Sequence, residues 1–231
     1  MVGILGVVPL SVHSIAYQLT FVLFTLSHGT SIGLSVCLGQ LLSNHKISEA
    51  KQLAMSCLAS VGAMSVIIST LVYMGRWYII QLFTSDPDVV DGCERIWLRF
   101  CQYLVMLYIY GIQLGILTAL GVQMRVGLSV IFVLWCGAFP YLYHTVIVSN
   151  ENHNNEGHVD EIDGLLTVWS AMPIVYCVLN VVLGVQCASL DWCSNIAKLK
   201  LPLQTKVLEL TDTADKTDTT VLQTIALLNE Q

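Results

Sequence analysis

Ser14–Leu42 reads SIAYQLTFVLFTLSHGTSIGLSVCLGQLL, 29 residues without a single Asp, Glu, Lys or Arg. About 20 apolar residues are enough for an α-helix to cross the hydrocarbon of a bilayer. There the backbone can satisfy its hydrogen bonds only within itself, which makes the stretch helical. It is not uniformly apolar. Gly29, Gly33 and Gly39 interrupt it, Ser27, Thr30, Ser31 and Ser35 share its second half, and Tyr17, Gln18 and His28 place polar groups at membrane depth. The pattern predicts a membrane helix with one side turned to protein or water, around which the other segments are arranged.

The rest of the composition agrees. Of 231 residues, 55 % are hydrophobic and 11 % charged, the range of a polytopic membrane protein. The charged residues fall in short breaks between long apolar runs, so the net charge of −6 says nothing of nucleic acid. No basic patch interleaved with aromatics exists to bind one. Eight cysteines show no CxxC and lie mostly inside apolar runs, where Cys behaves as a small hydrophobe. Neither a disulfide scaffold nor a zinc site is expected. The N-terminus has no basic region before its apolar stretch, unlike a cleavable signal peptide.

Five spans follow from the hydropathy: about 11–42, 53–74, 96–120, 126–148 and 164–190. Pro9 reads as a break that separates Met1–Leu10 from the first span, as though a preceding helix ended there. Ser48 reads as an N-cap for the second span, and Ser85 or Asp86, followed by Pro87, as the cap of the third. Pro140 and Pro173 lie within spans four and five, where proline kinks a helix. Between them SNENHNNEGHVDEID (149–163) reads as a solvated acidic loop. Its His153 and His158 match no standard zinc spacing. Residues 193–231 read as a polar, disordered tail. Lys46 and Lys51, Arg125, and Lys198, Lys200 and Lys206 put the linkers 43–52 and 121–125 and the tail in the cytoplasm, whereas Arg76, Arg95 and Arg99 count against that orientation.

Four segments in order resemble the C-terminal lobe of eukaryotic multidrug and toxic compound extrusion (MATE) transporters. SIAYQL, HGTSIGLSVCLGQLL and SEAKQ (14–51) are similar to the family's SIVYEL, VGNxLG and Ala-rich linker segments. IQLFTSDPDVV (80–90) is similar to LFTxDxxV. GILTALGVQ (115–123) is similar to GVLRGxGxQ, and GAFP (137–140) with TVWSA (167–171) to GLP and GLWSG. Together they cover about Val2–Trp192. The resemblance implies an all-α membrane protein whose five helices form an incomplete six-helix lobe. It implies export of organic cations and xenobiotics by antiport with protons or sodium, with the plasma membrane as default location. The partners it implies are lipids, small organic cations, and a missing N-lobe or a second copy. No other cofactor is implied.

The family has an acidic residue where this chain has Gln18, and another near Leu107 or Tyr108. None of the five predicted spans holds Asp or Glu. A carboxylate facing an aqueous cavity is the usual group for coupling to protons and attracting cations; Gln18 can hydrogen-bond but not titrate. The expected substrate site is a cavity between spans one and three, with Gln18, Tyr17, Tyr108 and Gln113 as contacts. Ring faces of Tyr17, Tyr108 and Tyr110 could attract a cation there. His28 is the membrane-depth group able to titrate near neutral pH, and Pro140 is the candidate hinge. The competing readings are structural: Gln18 as an interhelical hydrogen bond, the tyrosines as packing, Gly29 and Gly33 with Ser31 and Ser35 as a close-packing stripe. The alternative function is a non-transporting scaffold or partner lobe. No G-x-S-x-G, P-loop or HExxH motif points to an enzyme.

Overall fold

In the computed structural model, residues 6–144, 161–190 and 192 are described. The acidic loop's His153 and His158, the end of span four and the tail from residue 193 lie outside them. The described residues from Gly6 to Leu190 belong to one compact unit. The elements are α1 (Val7–Ser43), α2 (Ile47–Met74), a short α3 (Arg76–Phe83) and α4 (Pro87–Ala119). They continue as α5 (Gln123–Ile131), a π-helical segment (Phe132–Ala138), α6 (Phe139–Tyr143) and α7 (Glu161–Ser189). Five stretches are long and apolar enough to cross a membrane: α1, α2, α4, the continuous Gln123–Tyr143, and Ile162–Ser189 within α7.

The helix boundaries correct several sequence expectations. Pro9 does not break the chain; it is the third residue of α1, where its missing N–H would have had no partner anyway. Ser48 is not a cap either, since α2 begins at Ile47 with Lys46 before it. The expected cap of the third span is present: the Asp86 carboxylate accepts from the Asp88 N–H at 3.1 Å, and Pro87 opens the helix. That cap starts α4 at residue 87 instead of 96, which brings Asp88, Asp91 and Glu94 into the helix. The loop before it is shortened by α3, whose Trp77, Tyr78 and Leu82 are exposed as in an interfacial anchor.

The centre of the fold is α4, not α1. Of the most apolar window of α4, 61 % is buried, against 22 % for α1. Helix α1 buries only a narrow stripe, with Val12, Ala16, Thr20, Ser27, Ser31, Leu34, Leu38 and Leu42 on it. That stripe lies on α4, and the two helices approach closely through glycines of α4. A Cβ built on Gly111 would stand 2.6 Å from the Ser27 Oγ, and one on Gly115 would stand 2.5 Å from the Ser31 carbonyl oxygen. Gly29 and Gly33 of α1, by contrast, have nothing within 4 Å of such a Cβ. The small-residue seam is real, but the glycines that make it are those of α4.

Polar side chains fasten the seams by bonding to backbone carbonyls of the neighbouring helix. Ser27 Oγ donates to the Tyr108 carbonyl oxygen (3.2 Å) and Tyr108 Oη donates to that of Leu23 (2.6 Å). On the α2 side, Ser69 Oγ donates to Cys101 O (2.8 Å) and Trp97 Nε1 to Val72 O (3.1 Å). Asn180 Nδ2 of α7 donates to Met106 O (2.9 Å). These partner positions make α1 and α7 run parallel to α4, and α2 antiparallel. Apolar packing closes around them, with Trp97, Phe100, Leu104 and Trp169 at the largest cluster.

The fourth span contains an irregularity at the expected hinge. Pro140 follows the π-helical segment, and the Phe139 N–H bonds to the Leu134 carbonyl oxygen, five residues back. A proline in a regular helix removes an i→i−4 bond and presses its ring on the i−4 carbonyl. The wider turn ahead of Pro140 accommodates both, and such π segments are frequent at functional positions. Pro173 lies inside α7, which stays helical through it.

Candidate functional site

On α4, residues 99, 103, 106, 110 and 113 recur at spacings of three and four and so share one face. Residues Trp169, Ser170, Tyr176 and Asn180 of α7 meet it. Tyr103 stands edge-on to Trp169 (6.0 Å between ring centroids) and to Tyr176 (5.0 Å), and Tyr176 is edge-on to Tyr110 (5.5 Å). Helix α1 extends the series: His13 lies 5.7 Å from the Trp169 ring and 6.4 Å from Tyr17, stacked on the latter. Six rings from three helices thus form a continuous row, buried at Trp169, half-buried at His13, Tyr103, Tyr110 and Tyr176, and exposed at Tyr17.

Polar groups punctuate the row. Arg99 Nε donates to Ser170 Oγ (3.2 Å) one turn from Tyr103. At the other end Gln113 Nε2 donates to the Asn180 carbonyl oxygen (3.2 Å). The Oε1 of Gln113, the Oδ1 of Asn180, the Nδ1 of His13 and the Nε1 of Trp169 are buried with no partner among the described residues. They are hydrogen-bonding capacity held in reserve at the seam of three helices.

The structure does not bring the four expected contacts into one cavity. Tyr17 and Gln18 are exposed on α1. Tyr108 is 1 % exposed, with its hydroxyl committed to Leu23, so it is a packing residue of the α1–α4 seam. Gln113 is buried between α4 and α7. Tyr110 lies two positions after Tyr108, a rotation of about 200° about the helix, which is why only Tyr110 reaches the ring row. His28 is exposed and pairs only with Phe24, at 5.7 Å, among the ring contacts; it is not in the row. The titratable ring that is there is His13, which sequence reasoning passed over because it precedes the charge-free run. Tyr103, Trp169 and Tyr176 were also missed as contacts; the signal was the i, i+4, i+11 spacing of Arg99, Tyr103 and Tyr110.

Of the three carboxylates that the longer α4 adds, Glu94 has its Oε1 buried without a partner among the described residues. It precedes Tyr103 by nine residues, about two and a half helical turns, which puts it on the opposite side of α4 from the ring row. No group of three or more potential metal ligands occurs among the described residues.

A central helix buried on most sides, flanked by parallel and antiparallel apolar helices of membrane-spanning length, defines a polytopic helical membrane protein. The MatE family model matches residues 1–142, and the chain belongs to that family. Human "Multidrug and toxin extrusion protein 2" is 27 % identical over 170 residues, which are 62 % of this chain and 27 % of that protein. Rabbit (Oryctolagus cuniculus) "Multidrug and toxin extrusion protein 1" is 27 % identical over 88 residues, 38 % of this chain and 16 % of that protein. The chain therefore spans well under half the length of the curated relatives it matches. The crystal structure of eukaryotic MATE transporter AtDTX14 superposes with a TM-score of 0.64 at 14 % identity, covering 83 % of this chain and 42 % of that one. At that identity the likeness is one of fold.

Proposed function

We propose that this chain is one helical lobe of a MATE-type secondary transporter that moves small organic cations by antiport, and that it is not an enzyme. The observation that carries the reading is the ring row of Tyr103, Tyr176, Tyr110 and Tyr17. Each ring face holds negative quadrupolar charge and attracts an organic cation without needing a carboxylate. Arg99 repels cations at one end of the row, so the substrate's place is among Tyr103, Tyr176 and Tyr110. In transporters built from two repeats the site lies near the midplane between the repeats. A second helical bundle, from the same polypeptide or another copy, therefore faces this row, and the plasma membrane is the proposed location.

For coupling, His13 is the proton-responsive group of choice, since it touches the row and His28 does not. Sodium is the other proposed coupling ion, with Gln113 and Asn180 supplying neutral oxygens. The scaffold alternative is favoured by one observation: position 18, acidic in the resembling family, is Gln here and faces outward.

The test is equilibrium binding of a fluorescent quaternary ammonium dye to the full chain in proteoliposomes. Tyr176→Ala is expected to weaken binding by about 5- to 30-fold, the range of a desolvated cation–π contact. Gln18→Ala reports whether the exposed α1 face contributes. No measurable binding by folded, inserted protein would leave the scaffold reading standing.

A further inference from the structure

Arg99 lies within the membrane-spanning α4, half-buried and one turn ahead of Tyr103. A charge in such a helix is costly and is ordinarily matched by a partner or used in function. Its Nε donates to Ser170 Oγ (3.2 Å), and that hydroxyl passes its own proton to the Leu166 carbonyl oxygen (2.7 Å), so the serine is a neutral acceptor only. The two terminal amino groups of Arg99 have no partner among the described residues. Asp91 is held by Arg95 at 2.9 Å, and Glu94, five positions before Arg99, lies about 140° around the helix. A second donor at the same end of the ring row is in the same state. Trp169, next in sequence to Ser170, is 4 % exposed, and its Nε1–H has no partner among the described residues. The Trp169 ring also meets Tyr103, at 6.0 Å between centroids. Both unmatched groups are donors, so what they call for is an acceptor.

We propose that Arg99 and Trp169 form a subsite for the carboxylate of a small aromatic acid, whose ring lies against Tyr103. The planar guanidinium fork matches a carboxylate through two parallel hydrogen bonds. With Nε tied to Ser170, the fork is held on the face of α4 that carries Tyr103, Tyr110 and Gln113. An indole N–H adds a neutral donor to the same oxyanion. The ring of the ligand is placed by Tyr103, which already stands edge-on to Trp169 and Tyr176 and offers aromatic contact of the same kind. The phosphate of a lipid headgroup has similar oxygens but no ring for Tyr103 to meet. The subsite rests on the ring row of the proposed function and adds to it an acid group as a feature of what is bound.

The probe is para-fluorobenzoate, with para-fluorobenzamide as its uncharged counterpart. Binding to the full chain in phosphatidylcholine proteoliposomes is read by fluorine NMR. The acid is expected to bind more tightly than the amide. Arg99→Gln is expected to weaken the acid by about 10- to 100-fold, the range of hydrogen bonds to charged groups, and to leave the amide unmoved. Arg99→Lys keeps the charge without the fork and recovers part of that loss. Trp169→Phe keeps a ring and removes the N–H, for a loss of about fivefold. Ser170→Ala cuts the bond to Arg99 yet retains the preference for acid over amide, which a purely structural role of Arg99 does not predict. Arg76→Gln, on α3, changes nothing. Acid and amide binding alike, or a preference unmoved in both Arg99→Gln and Arg99→Lys, overturns the proposal; if Arg99→Gln does not fold, Arg99→Lys and Trp169→Phe decide it. Acid binding seen in maltoside micelles but lost in phosphatidylcholine vesicles assigns Arg99 to lipid phosphate and overturns it too. Acid preference without quaternary ammonium binding removes the cation reading alone, and the converse removes this subsite alone.

Discussion

Gly115→Ala is the sharpest test of how the fold is held. Its added Cβ would stand 2.5 Å from the Ser31 carbonyl oxygen and 2.7 Å from the Ser31 Oγ. Ordinary contact begins near 3.4 Å, so α1 and α4 must separate locally by about 0.9 Å. The obstacle is backbone, which cannot swing aside as a side chain would. Overpacking a tight seam costs about 1–3 kcal/mol, while replacing Gly by Ala inside a helix returns up to about 1 kcal/mol. The net expectation is a loss of about 1–2 kcal/mol, or roughly 2–8 °C in Tm for a chain of this size. The control is Gly33→Ala, where the same propensity gain meets open space, and Tm is expected to hold or rise. Both are read by a thiol-reactive fluorophore during heating in detergent, after the exposed cysteines are blocked. The buried Cys93 and Cys101 of α4 then report opening of the bundle. If Gly115→Ala melts no lower than the parent, or Gly33→Ala melts as low as Gly115→Ala, then the α4 glycines do not hold α1.

Three further outcomes separate packing from binding. Tyr108→Phe removes the hydroxyl that donates to Leu23 and is expected to cost about 1 kcal/mol in the same melt. Its quaternary ammonium affinity should be unchanged; a loss above threefold in folded protein would return Tyr108 to the site. Gln18→Glu, at an exposed position, should leave Tm unmoved while making cation affinity fall as pH drops toward the ordinary Glu range of about 4.3; a large fall in Tm would mean position 18 is a seam residue. Protonation of His13 adds positive charge against Tyr17 and Trp169. Cation affinity is therefore expected to be higher at about pH 8 than at about pH 5.5, with His13→Gln flattening the profile. A slope that survives His13→Gln removes His13 from the coupling reading.

Span number, helix type and most span positions were legible in the sequence, because a bilayer leaves a charge-free run such as Ser14–Leu42 one way to fold. Family membership was legible too, since the four segments from SIAYQL to TVWSA keep their order. Which helix occupies the centre was not. The charge-free run of α1 measures fitness for lipid, whereas centrality requires close approach on several sides. Gly111, Gly115, Trp97 and Gln113 confer that on α4 despite its Arg95 and Arg99. The site was half legible for the same reason. Tyr17, Tyr108 and Tyr110 were weighed together as rings that could face a cation; the structure places Tyr17 and Tyr110 in the ring row and Tyr108 in the α1–α4 seam. Only the partner helices decide that its hydroxyl faces α1. The helix start at Val7 was misjudged because Pro9 was read as a break, and the start at Pro87 because hydropathy ends where charges begin and helices do not.

Asn180 apart, which is also proposed to face sodium, the bonds that hold the helices together lie apart from the residues proposed to bind. Ser27, Tyr108, Ser69, Trp97 and Asn180 each donate to a backbone carbonyl across a seam, so their partners persist whatever side chain the neighbour carries. Membrane helices gain little from apolar contact with one another when lipid is equally apolar, and such bonds with close glycine packing supply the difference. Gln18 and His28 lie outside those seams on the open side of α1. A chain of this family can therefore exchange an acidic residue for glutamine at position 18 and keep its helical bundle intact.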